Sequence, residues 1–127
     1  MESKDRWKLQ QRVTIWVRRC FGTECLMDRR ERGARVLEEA AELAQALGCP
    51  KDQVIRTIDH VYSRSVGDPA QEIGGVATTL LAACSALEED FEILAEREVS
   101  RIESKDPEYF RERNAAKADA GIGSYKR

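Results

Sequence analysis

The stretch that decides the fold runs from Asp68 to Cys84 and reads DPAQEIGGVATTLLAAC. Asp68 is a strong helix N-cap, and Pro69 occupies the first helical position, where a missing N–H costs nothing. Gln71 stands at the reciprocal capping-box position. From Ile73 onward the segment is apolar nearly all round, and a helix of that kind belongs at the centre of a bundle.

Helical periodicity continues on both sides of this segment. Leu9, Val13, Trp16 and Val17 recur at helical spacing in a first helix from about Asp5 to Arg19, and Cys20-Phe21-Gly22-Thr23 breaks the period. A second helix from about Asp28 to Leu47 turns Val36, Leu37, Ala40, Leu43, Ala44 and Leu47 inward and ends at Gly48, a natural left-handed cap. Pro50 opens a third helix, whose expected core face is Val54, Ile55, Ile58, Val61 and Tyr62. A fifth helix, about Glu89 to Ser104, places Leu94, Val99 and Ile102 inside. Beyond Pro107, residues Tyr109 to Lys117 form a short helical segment. A partly frayed tail starts at about Ala118. The expectation is an all-α, single-domain bundle of about five helices over residues 1–127.

Composition agrees and excludes several function classes. The chain has 127 residues, 42% hydrophobic and 35% charged, enough apolar material for one core. Twenty-one basic against 23 acidic residues give a net charge of −2, so no global field draws nucleic acid or an anionic membrane. The longest charge-free run, Ile73 to Leu87, is shorter than the roughly 20 apolar residues of a membrane span. The charged start lacks the apolar run of a secretory signal, and Cys20, Cys25, Cys49 and Cys84 match no disulfide or zinc spacing. These features fit a cytoplasmic protein with reduced thiols.

The chemistry lies in Leu37-Glu38-Glu39-Ala40-Ala41-Glu42-Leu43. On a helix Glu39 and Glu42 are i,i+3 neighbours and Glu38 and Glu42 are i,i+4 neighbours, each pair unfavourable by a few tenths of a kcal/mol. A solvated face would set Lys or Arg a turn after each glutamate, yet Glu39 is followed by Glu42 and Leu43, and Glu42 by Gln45 and Ala46. Only Arg35 lies within helical reach. Partly buried like charges need a partner or a metal. Mg²⁺, hard and content with carboxylates and water, suits the site, and Mn²⁺ is the substitute. Glu72, in the first turn of the apolar helix, either complements the helix dipole or joins such a site. The adjacent Gly74 and Gly75 cost about 1 kcal/mol apiece relative to alanine, which points to a close approach by a helix or a ligand.

Glu39-x-x-Glu42 in its Leu-Glu-Glu-x-x-Glu-Leu context, followed by Glu72 in Glu-Ile-Gly-x-Val on a later helix, resembles the MazG-like all-α nucleoside triphosphate pyrophosphohydrolases. The likeness is close over about Arg32 to Cys84 and includes Cys20-Phe-Gly, Arg35-Val-Leu-Glu-Glu and Asp68-Pro-Ala-Gln-Glu-Ile-Gly-Gly-Val. The resemblance implies a Mg²⁺-dependent enzyme cleaving a nucleoside triphosphate to the monophosphate and pyrophosphate. It implies Glu39 and Glu42 as the first pair of metal ligands and Glu72 as the third. Glu38 is a water-orienting group or simply solvated. The family's aspartate falls on Gly75, leaving one ligand missing.

For phosphate, the resemblance implies Asn114 and Lys117, with Arg35 and Arg64 as further cations. Arg35 alternatively bridges Glu38 or Glu39. Trp16 either stacks on a base or fills the core, and His60 is structural or exposed. A catalytically weakened nucleotide-binding or interaction protein is the alternative that Gly75 supports. The all-round apolar fourth helix needs cover on every side, so a homodimer formed through helices is expected.

Overall fold

The computed structural model describes residues 2–123, with side chains from residue 8 onward. Among these residues there are seven helices and no strand: α1 (Glu2–Phe21), α2 (Thr23–Met27), α3 (Arg29–Ala46), α4 (Lys51–Tyr62), α5 (Pro69–Ala86), α6 (Phe91–Glu103) and α7 (Pro107–Asp119). The all-α expectation holds, and the count of five is corrected to seven. The first addition is α2, a single turn in the segment read as a break. The second is α7, which starts at Pro107 behind an Asp106 cap and runs through Ala118 to Asp119, two residues into the expected frayed tail. Residues 124–127 of that tail lie outside the described residues.

Local chemistry sets the helix ends. Gly22, at φ 89°, ends α1, its N–H donating to the Arg18 carbonyl at 2.8 Å. The Asp28 carboxylate accepts from the Arg30 and Glu31 N–H groups and opens α3, and Gly48 closes that helix at φ 91°. Asp68 accepts from the Gln71 N–H at 3.0 Å to cap α5.

The chain divides into two compact units: Met1–Ala40 with Glu96–Arg127, and Ala41–Ala95. The boundaries fall inside α3 and α6, so the second unit is an insertion in the sequence of the first.

In the first unit Cys20, Ile102 and Phe110 form a buried cluster, with Trp16 and Phe21 packed against it. The Trp16 ring meets Phe110 edge-to-face at 4.8 Å and Phe21 at 6.0 Å, which makes Trp16 a core residue. Val17, Cys25 and Val99 are also buried, while Val13 faces out. Burial pushes the Cys20 and Cys25 thiols above their ordinary pKa. Arg12 on α1 forks onto α6, reaching Glu96 at 2.7 Å and Glu103 at 2.6 Å. From α7, the Arg111 guanidinium donates to the Cys20 and Arg19 carbonyls and satisfies the end of α1.

The second unit holds the last turn of α3, then α4, α5 and the start of α6, and none of its residues is buried. Ile55 and Val61 are half-exposed, Ile73 is 72% exposed and Tyr62 81%. This corrects the expectation of a central, covered α5. Periodicity reveals which side of a helix is apolar, and it cannot reveal whether the same chain supplies the cover. Val36 and Leu37 are likewise exposed, and Leu43 and Ala44 only half-buried.

Candidate metal and phosphate site

The carboxylates of α3 come together as their spacing requires. One oxygen from each of Glu38, Glu39 and Glu42 lies within 4.8 Å of the others. Glu39 and Glu42 are exposed, and Glu38 is half-buried. The three are not equivalent electrostatically. Glu38 accepts from Arg35 Nη1 at 2.9 Å and pairs with Lys117 Nζ of α7 at 2.9 Å. Among the described residues Glu39 and Glu42 make no ion pair, so their charges remain open to a cation.

Arg35 is held from below. Its Nε lies 3.3 Å from the carboxylate of Glu31, which is only 1% exposed, and its Nη2 donates to the Ile122 carbonyl. Glu31, Arg35, Glu38 and Lys117 therefore alternate in sign along one edge of α3 and onto α7. Both sequence readings of Arg35 meet here: it bridges Glu38, and it stands beside the acidic group.

Asn114 is half-buried on α7, one turn before Lys117, and its side chain makes no hydrogen bond among the described residues. Glu72 and Arg64 belong to the second unit. The Glu72 carboxylate folds back against Gly67 at the start of α5, in the space a side chain there would fill, as a dipole-complementing group would. Arg64 is exposed in the turn after α4 and forms no ion pair among the described residues. His60 is exposed. A side chain added at Gly74 or Gly75 would meet nothing within 4 Å among the described residues.

Sequence reasoning missed Glu31 and Arg101. Glu31 is found by the same helical arithmetic, since Glu31–Arg35 is an i,i+4 step and Arg35–Glu38 an i,i+3 step. For Arg101 of α6 the i,i+3 step from Glu98 is equally plain, and only its interaction with Glu39 lies beyond that arithmetic. It grips Glu98 at 2.7 Å, and that contact, with lesser contributions from Tyr109 and Glu39, strengthens its hold on its proton. The same contact holds the Glu98 carboxyl below its ordinary value.

As a donor set, three carboxylates with no nitrogen or sulfur suit a hard divalent cation. Compared with known proteins, the chain matches no family model, no curated protein and no solved structure.

Proposed function

We propose that this chain is a Mg²⁺-dependent nucleoside triphosphate pyrophosphohydrolase of the MazG-like kind, converting a (d)NTP to the (d)NMP and pyrophosphate. The observation that carries the reading is the convergence of Glu38, Glu39 and Glu42 on α3, with two of the three carboxylates unpaired. Glu39 and Glu42 are the residues to hold the ion, with Glu72 as the further ligand drawn from its position against Gly67. Mg²⁺, or Mn²⁺ in its place, supplies neutralisation of phosphate charge and a more acidic water.

The chain's own groups do the rest. Glu38, fixed by Arg35 and Lys117, accepts a hydrogen bond from the attacking water and orients it. Lys117 and Asn114, one turn apart on α7, bind phosphate oxygens, and Arg35 and Arg64 add positive charge. A second copy of the chain covers the exposed faces of α4 and α5, making the active form a homodimer. Nucleic acid and membrane have no part in this reading. No single helix among the described residues is long and apolar enough to cross a bilayer, and the reduced thiols fit the cytoplasm.

Incubation with a panel of NTPs and dNTPs plus Mg²⁺ tests the reading through release of pyrophosphate. Glu39→Gln and Glu42→Gln abolish turnover and leave the helical fold intact. Removing the like-charge repulsion adds a few tenths of a kcal/mol of stability without metal. The second reading, a helical nucleotide-binding or interaction protein, rests on Gly75 supplying no ligand and on Glu72 facing Gly67. Mg²⁺ binding with no pyrophosphate from any nucleotide would establish it.

A further inference from the structure

Within the first unit, two cations are held by an aromatic ring in place of a carboxylate. Lys105 Nζ lies 4.4 Å from the centroid of the Tyr109 ring, and Arg113 Cζ lies 5.5 Å from the same centroid. Arg113 Nη1 also donates to the Tyr109 hydroxyl at 3.4 Å. Among the described residues neither cation forms an ion pair, and Lys105 interacts with the Glu98 carboxylate only at longer range. Arg12, Arg35, Arg101, Arg111 and Lys117 all form ion pairs.

The distinction has a physical consequence. An aromatic face orients a cation by a weak attraction and leaves its charge available to an anion. Tyr109 is itself fixed by edge-to-face contact with the buried Phe110 at 5.0 Å, so the ring is a firm mount on a core residue. Tyr109, Arg113 and Lys117 follow one another at four-residue steps along one face of α7, and Lys117 pairs with Glu38 of α3 at 2.9 Å.

We propose that Lys105 and Arg113, mounted on Tyr109 beside Arg101, form a docking site for the phosphate chain of the nucleotide. The proposal rests on reading the α3 carboxylates as the metal centre. It adds to that reading two further cations on the α7 side to grip the polyphosphate. Arginine and lysine both bind phosphate oxygens, arginine in a planar fork and lysine as a point charge. The site selects for a chain of phosphates and is indifferent to the base.

The test uses the full chain and two readouts. In hydrolysis assays, Lys105→Ala and Arg113→Ala each raise KM about tenfold and leave kcat within about twofold, the signature of lost binding outside the reacting centre. Tyr109→Leu keeps an apolar side chain on Phe110 and releases both cations, so it raises KM by a comparable factor. In calorimetry with inorganic triphosphate and EDTA, the unmodified protein binds, and the Lys105→Ala, Arg113→Ala double variant loses most of that affinity.

Unchanged KM in an active enzyme, or unchanged triphosphate binding in the double variant, overturns the docking site and leaves the hydrolase reading standing. Triphosphate binding that depends on Lys105 and Arg113, in a protein that hydrolyses no nucleotide, overturns the hydrolase reading and leaves the docking site standing. Should Tyr109→Leu fail to fold, the two surface alanine variants decide the matter alone.

Discussion

The two units of this chain are stabilised in opposite ways. In the first, side chains far apart in sequence are joined: Arg12 bonds to Glu96 and Glu103 across 84 and 91 positions, and Arg111 caps α1 across 91 and 92. A shared apolar cluster lies beneath them. In the second, side-chain hydrogen bonds reach at most four positions, as in Arg56–Asp52, Thr57–Gln53, Thr78–Gly74 and Ser85–Leu81. Its apolar surface, Ile55, Val61, Ile73 and Leu81 among others, stays in contact with solvent. The first unit is closed by its own chain. The second has helices formed and capped, and an apolar surface left exposed.

Substitutions break that contrast on the side that is closed. Phe110→Ala removes the ring joining Trp16, Ile102 and Cys20 and lowers stability by about 4 kcal/mol, read from the denaturant midpoint. Loss below about 1 kcal/mol would show that the cluster is not the unit's core. Next in size is Glu31→Gln, which leaves Arg35 facing Glu38 and Lys117 without its buried counter-charge. Breaking a buried pair costs about 3 kcal/mol here, and an effect under about 1 kcal/mol would mark Glu31 as solvated.

The open side answers differently. Ile73→Lys changes the stability of the isolated chain by less than about 0.5 kcal/mol, because the position is exposed. It does convert a dimer to a monomer in light scattering. A monomeric mass for the unmodified protein at micromolar concentration would refute self-association. Gly75→Asp, with no atom in its way, is tolerated to within a few tenths of a kcal/mol and tightens Mg²⁺ binding in calorimetry. Tight Mg²⁺ binding by the unmodified apo protein would remove the case for a missing ligand.

The smallest expected effect is acidic. Arg12 holds the Glu103 carboxyl below its ordinary 4.5. A lowered carboxyl stabilises the fold above its unfolded pKa, and that contribution disappears as pH falls through the folded value. As pH falls below about 4.5 the unmodified protein loses slightly more stability than Arg12→Met, which has no such link to lose.

How much was legible divides along the same line. Helix positions followed from Asp68-Pro69, Gly22, Gly48 and Pro50, because caps and turns are local chemistry that a linear sequence carries in full. The Glu38, Glu39 and Glu42 cluster was legible for the same reason, as a property of one helix. Lys117 on Glu38 was not, since its partner lies 79 positions back, and nothing in either neighbourhood announces the other. Arg35 illustrates the limit: spacing foretold its bridge to Glu38, yet the buried Glu31 behind it went unnoticed. The apolar faces of α4 and α5 were located, and the described residues do not supply the cover expected for them. Amphipathicity says only that a surface wants cover.

The bonds from Arg111 to the end of α1 also bear on the order of events during synthesis. The carbonyls of Arg19 and Cys20 are made about ninety residues before the guanidinium that satisfies them. Closing so long a loop is slow compared with forming a helix turn. The inserted helices α4 and α5 therefore leave the ribosome, coil and expose their apolar sides while the first unit is still waiting for α7. During translation this protein passes through a stage in which its least covered helices are already formed and the sealed core of its first unit does not yet exist.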